Sequence, residues 1–236
     1  MQPVSIRNPH GTAPLVLTCE HASCAVPVEY DDLGLDPEQL REHIGWDIGA
    51  GQVTEALARS CDATAVLAGV SRLLIDCNRD LADHDLIVSE SHGTNIPGNQ
   101  HLDVAERDRR IREFYTPYHE AIDSVPARKS TSFLLSVHSF TPMLNGRERR
   151  FHIGVLFDAH STQAKRLGEA LARGGLRVRY NQPYSGLDGL IFSAQLHGSR
   201  HRIPYLEIEI NNRLLRNPAE AVAFADRLAA ALRTLV

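Results

Sequence analysis

The chain has 236 residues, 43% of them hydrophobic and 23% charged, with a formal net charge of −4. That length and apolar content suit one large α/β domain spanning residues 1–236, and the interspersed charges leave no basic field to attract nucleic acid or an anionic membrane surface. No apolar run approaches the ~20 residues that cross a bilayer, and the opening residues lack a signal-peptide core, so the expectation is a cytoplasmic protein that acts on a small molecule.

Short apolar runs predict buried strands at Leu15–Cys19, Thr64–Leu67, Leu73–Asp76, Phe133–His138, His152–Phe157, Leu176–Tyr180 and Tyr205–Ile210. Between them, helical spacing appears over Gly49–Ser60, Val104–Ile122, Thr162–Arg173 and Pro218–Leu235. Asn217-Pro218 supplies a helix start and Gly174-Gly175 a helix stop. The alternation predicts a three-layer α/β fold, a central mixed but mostly parallel sheet with helices on both faces. The stretch Ser89–Gln100, rich in Gly, Asn and Ser, reads as a surface loop and a lid. Four cysteines without CxxC spacing read as reduced thiols.

Open sheets of this kind bind ligands at the carboxyl ends of their strands. Two predicted strands end there on a histidine, His21 and His138, and a third run ends in Asp76-Cys77-Asn78-Arg79. Two strand-end imidazoles can share one metal ion, which in a catalytic zinc site takes a third protein ligand and keeps a position for water. The alternative for each is a hydrogen-bonded structural histidine. Glu207 and Glu209, two apart on one strand, share a face. On an inward face they need partners or a metal, and on a solvent-facing edge they need neither. Asn78 and Arg79 offer donors suited to a carboxylate.

Ser136-Val137-His138-Ser139-Phe140 resembles the second-histidine segment of zinc carboxypeptidases, and Asp76-Cys77-Asn78-Arg79 resembles their Asp-x-Asn-Arg substrate clamp. A fuller resemblance runs along nearly the whole chain. Cys19-Glu-His-Ala-Ser23, His43-Ile-Gly-Trp-Asp47-Ile-Gly-Ala50, Ser71-Arg-Leu-Leu-Ile-Asp-Cys-Asn-Arg79, Ile96-Pro-Gly-Asn99 and Asn181-Gln-Pro-Tyr-Ser-Gly186 are similar to the N-formylglutamate amidohydrolase family. The resemblance implies a carboxypeptidase-like fold and a metal-dependent enzyme that cleaves the N-formyl, or another small N-acyl, amide of an acidic amino acid such as N-formylglutamate. A carboxypeptidase, a desuccinylase and a non-catalytic metal or amino-acid binder are the other readings that the same scaffold permits.

Under that resemblance zinc, with cobalt as an alternative, is held by His21, His138 and Asp47. Carboxypeptidases carry His-x-x-Glu at the first site, whereas Cys24 stands three residues after His21 here. The third ligand is therefore open among Asp47, Cys24, Glu20 and His43. Glu209 takes the place of the general base in preference to Glu207. Arg72 is expected to stabilise the oxyanion or grip a second carboxylate, and Asn78, Arg79, Asn99 and Tyr184 to contact the substrate.

Overall fold

A computed structural model of the chain describes residues 1–128 and 133–235. Seven strands form one sheet: β1 (Val4–Arg7), β2 (Leu15–Cys19), β3 (Thr64–Ala68), β4 (Phe133–Phe140), β5 (Ile153–Leu156), β6 (Val178–Tyr180) and β7 (Tyr205–Asn211). Their spatial order is β1-β3-β2-β4-β7-β5-β6. Pairing is parallel between β3, β2, β4 and β7 and between β5 and β6, and antiparallel where β1 meets β3 and β7 meets β5. Helices α1 (Ala50–Ser60), α3 (Ser161–Arg173) and α5 (Pro218–Leu232) cover one face, while α2 (Thr116–Arg128) and α4 (Phe192–His201) cover the other. The result is the three-layer, mostly parallel sheet expected.

Strand pleating divides the side chains of the central strands between two cores. Leu15, Leu17, Phe133, Leu135, Val137, Leu206, Ile208 and Ile210 point towards α1 and α5 and form a continuous apolar layer. Burial of each such leucine or isoleucine is worth about 1.5–3 kcal/mol. On the opposite face the first residues, Val16, Leu134 and Tyr205, are apolar too. The next residues on that face are polar: Thr18 and Glu20, then Ser136 and His138, then Glu207 and Glu209, all buried. The register sets Thr18 beside Ser136, Ser136 beside Glu207 and His138 beside Glu209. Alternation on three parallel strands therefore gathers the polar groups at their carboxyl ends.

Four sequence expectations change. Leu73–Asp76 is not a strand, because its backbone donors are used elsewhere: Leu74 N–H bonds Ser71 O, Asp76 N–H bonds Leu86 O, and Leu73 N–H bonds the Ser71 hydroxyl. Leu73, Leu74 and Ile75 are apolar because this turn is itself buried, so Arg72 opens a turn instead of a strand. The helical stretch from Val104 passes through a π-turn at Ile111–Tyr115 before α2 begins, and β1 and α4 lie outside every predicted element. All four cysteines are free thiols. Among the described residues no helix is long and apolar enough to cross a membrane.

Helices α2 and α4 meet through two buried histidines. His119 Nδ1 and His197 Nε2 share a hydrogen bond of 2.8 Å, and His197 Nδ1 donates to Asp123 at 2.7 Å. Burial, then the neighbouring His197, pushes His119 from 6.5 down to about 3. An unfolded imidazole therefore binds more protons than His119 does between those values, and folding stability falls as pH drops from about 6.5 towards 3. At about 1.4 kcal/mol per unit the loss is on the order of 5 kcal/mol. His119→Phe, which keeps the ring among Tyr115, Tyr118 and Phe192, should flatten that slope in urea unfolding followed at pH 7, 5.5 and 4. An unchanged slope would assign the acid sensitivity to other groups.

Candidate metal centre and cleft

A cleft of about 380 Å³ opens above the carboxyl ends of the central strands. His21 lies two residues beyond the end of β2, and His138 lies within β4; their rings stand edge to face with centroids 4.7 Å apart. Both imidazoles turn the same way. His21 Nε2–H donates to Asp76 Oδ1 at 2.7 Å and His138 Nε2–H donates to Glu20 Oε2 at 2.9 Å. Each ring thus directs Nδ1 at Asp47 Oδ2, at 3.5 Å from His21 and 2.8 Å from His138. A carboxylate on the outer nitrogen fixes both tautomer and ring orientation of a metal-binding imidazole.

Asp47 reaches this position through a tight approach. Its N–H bonds His21 O at 3.0 Å, which ties the loop to the end of β2. Gly49 then turns the chain into α1 with φ +82°, and a Cβ there would lie 2.5 Å from the Cβ of Leu215. Only glycine meets both demands. Asp47 also accepts from Ser139 N–H at 3.2 Å.

Of the other candidate third ligands, Glu20 lies on the far side of His138, where Tyr118, Ser136 and His138 all donate to it. His43 Nδ1 is 3.9 Å from Asp47 Oδ1 at the cleft edge, and Cys24 does not line the cleft. His21, Asp47 and His138 offer donor atoms that all lie within 4.8 Å of one another, as do His138, Glu207 and Glu209.

The charge balance fits a dication. Glu20, Asp47, Asp76, Glu207 and Glu209 are all at most 4% exposed, while the cations among them are Arg72, the two imidazoles and, farther from Asp76, Arg79. Even with both rings protonated, five carboxylates exceed four cations by one charge, an uncompensated burial that costs several kcal/mol. Protons carry part of the excess in its place. Burial pushes Glu207 up to about 7 despite His138, and burial together with Asp47 raises Glu209 well above the carboxylate range. Burial is the largest single influence on Asp47 and Asp76 and raises both, but His21 together with His138 for the first, and with Arg72 for the second, outweighs it, so both are held low. Glu209 Oε2 and His21 Nδ1 are buried without a hydrogen-bond partner. A divalent cation held by these residues would account for the surplus charge and for the unpartnered imidazole nitrogen.

The remaining predicted residues divide. Arg72 faces the cleft and pairs with Asp76 at 2.8 Å and Asp47 at 3.8 Å, so it braces the carboxylates around the centre. Asn78 donates to Glu207 at 3.2 Å and its carbonyl accepts from Ser193 N–H at 2.9 Å. Arg79 lines the cleft, with Asp83 3.9 Å from its Nε. Tyr184 lines the cleft from a turn that Asn181 closes through Phe157 N–H and Gly186 N–H. Asn99 is not brought to the cleft. Its amide bonds Leu73 O and Val88 O and its carbonyl accepts from Arg110, so it braces the buried turn. Glu90, Ser91 and His92, inside the expected lid, form part of the cleft wall.

Sequence reasoning assigned no supporting role to Glu20, Asp76 or Tyr118. The alternation of Glu20 with Thr18 signals that it is inward, but the partners of these groups lie 55 to 118 residues away in the chain.

The family model for N-formylglutamate amidohydrolase matches residues 13–216. The chain belongs to that family. Gene product Atu2144 from Agrobacterium tumefaciens, a solved structure, is 34% identical, with a TM-score of 0.95 over 100% of this chain and 95% of that one. The N-formylglutamate amidohydrolase from Ralstonia eutropha JMP134 is 23% identical, with a TM-score of 0.73 over 100% of both chains. No curated protein matches significantly in sequence. This member of the family carries its buried polar groups on one face of three adjacent strands.

Proposed function

We propose that the protein is a zinc-dependent amidohydrolase that removes a formyl or other small acyl group from the nitrogen of an amino acid. The observation that carries this reading is the presentation of two Nδ1 atoms to one carboxylate, beside a buried glutamate with an unpartnered oxygen. His21, Asp47 and His138 would hold the metal, and cobalt suits the same donors. When bound, the ion would polarise the acyl carbonyl and acidify a water molecule.

The chain supplies the rest. Arg79 and the free amide hydrogen of Asn78 receive the α-carboxylate and align the scissile amide across the cleft. Glu209 takes a proton from the attacking water as the new C–O bond forms, then delivers it to the nitrogen as the C–N bond breaks. The products are formate, or another small carboxylate, and the free amino acid. Arg72 faces the cleft with N–H groups to spare and stabilises negative charge on the acyl oxygen. Glu207, hydrogen-bonded by Asn78, shapes the floor.

Metal analysis of the purified protein, with formate, acetate and succinate release measured from N-formyl, N-acetyl and N-succinyl amino acids, tests the proposal. About one zinc per chain and fastest release from the N-formyl series are expected. A zinc- or cobalt-loaded protein that releases nothing from any series would refute the enzymatic reading and favour a binding protein.

A further inference from the structure

Among the described residues five aliphatic side chains line the cleft, and three of them, Ile44, Leu73 and Val88, are packed into the apolar core on that face of the sheet. The other two, Leu144 and Leu190, are half-buried and belong to neither apolar core. Aliphatic surface that joins no core is left facing the water of the cleft, and covering it with an apolar group is favourable.

Local structure fixes both leucines. Asn145 (φ +50°) and Gly146 (φ +74°) turn the hairpin of Met143–Leu144 and Arg147–Glu148. Neighbouring strand residues face opposite ways, so Met143 is 49% exposed while Leu144 faces the cleft. Arg213 anchors the hairpin through Glu148 at 3.1 Å. Leu190 ends the loop that Asn181 closes, with its N–H on Ser185 O at 3.4 Å, and Tyr184 lies in the same loop. The Arg149 guanidinium, 5.6 Å from the Tyr184 ring centroid, holds hairpin and loop together.

The charges along the cleft favour the same kind of occupant. Among the described lining residues the guanidinium groups are Arg72, held by Asp76 and Asp47, and Arg79, which takes the α-carboxylate in the reaction proposed above. Beyond the metal centre the lining acids are Asp85 and Glu90, both exposed. Burial lowers the affinity of His43 for a proton, so that imidazole adds no positive charge. A second carboxylate on the substrate would leave water for a wall of leucines with acids at its rim, which is unfavourable for an unpaired charge.

Resting on the amidohydrolase reading, we infer that the cleft selects N-formyl amino acids with an uncharged aliphatic side chain of leucine size, received by Leu144 and Leu190, instead of the glutamate in the family's name.

Formate release by the zinc-loaded protein at pH 8, where an ordinary imidazole is uncharged, compares N-formyl-L-leucine, N-formyl-L-alanine and N-formyl-L-glutamate. Burying a leucine side chain is worth about 10- to 150-fold. The unaltered enzyme should therefore turn over the leucine substrate with a kcat/KM at least about tenfold above either of the others. Leu144→Asn and Leu190→Asn should each lower kcat/KM for the leucine substrate at least about fivefold more than for the alanine substrate, a selective loss that a damaged fold does not produce. Calorimetric Kd values for the products L-leucine and L-glutamate read the same wall without turnover. No formate release together with tighter leucine binding sinks the reaction assigned above and leaves the selection standing. A glutamate substrate turned over as well as the leucine one overturns the inference, as does an equal fall for leucine and alanine substrates in both variants, or product binding without a preference for leucine.

Discussion

Glu209→Gln is expected to lower kcat by about a thousandfold, within the range that a positioned general base contributes, while the zinc content stays at the unaltered level. Glutamine keeps the size of the side chain and removes its ability to take a proton. The expectation rests on the difference between two glutamates that share a strand face. Glu207 accepts from Asn78 at 3.2 Å and lies 3.5 Å from His138 Nε2. Glu209 has an oxygen with no partner, beside Asp47 and within electrostatic reach of Arg72 and Tyr184. It is the one of the two that is free to exchange a proton with a water molecule in the cleft. Glu207→Gln, by contrast, should reduce kcat only modestly, since a glutamine can still accept the Asn78 hydrogen bond. A dead Glu207→Gln beside an active Glu209→Gln would exchange the two roles.

The second large effect concerns the metal. His138→Ala should abolish stoichiometric zinc binding and also destabilise the apoprotein by about 3–5 kcal/mol, because Glu20 and Asp47 each lose a buried charged partner. Asp76→Asn leaves all three candidate ligands in place and removes the negative charge behind His21 and opposite Arg72. It should weaken zinc by about 10- to 100-fold, the usual cost of losing an outer hydrogen-bond partner. Zinc titration against a chelating dye, with thermal melts in the presence and absence of the ion, separates the two. Wild type should melt higher with zinc, His138→Ala should not respond, and Asp76→Asn should respond only at higher zinc. Full zinc occupancy in His138→Ala would remove that residue from the ligand set.

Much of the central sheet was legible because β2, β4 and β7 are short runs rich in apolar residues, too short to complete an amphipathic helix. The same logic misread Leu73–Asp76. A buried turn needs the same apolar residues as a buried strand, and only the capture of its N–H groups by Ser71 and Leu86 distinguishes it. Helix α4 went unseen because its buried side is Ser193, Ala194, His197 and Gly198, small or polar residues that leave no apolar stripe. In the cleft, His21 and His138 announced themselves as strand ends, and Glu207 and Glu209 as acids inside an apolar run. Motif likeness alone brought in Asn99, which the fold uses to brace a turn. The support given by Glu20 and Asp76 depends on contacts between distant segments, and no local pattern records which of the two faces of an imidazole will meet them.

Because the polar residues of β2, β4 and β7 occupy alternate positions on one face, the cleft is written in the parity of three strands. A single residue inserted or deleted upstream of His138 in β4, or of Glu207 in β7, would carry Val137 or Ile208 into the cleft and press His138 or the glutamates into the apolar layer beneath α1 and α5. Point substitutions can retune this chemistry one group at a time, whereas a length change in any of these strands exchanges chemistry for core in one step. A change in chain length is therefore expected to be tolerated only in the loops above the sheet, such as the hairpin of Met143–Leu144 and Arg147–Glu148, where an added residue alters reach without reversing a face.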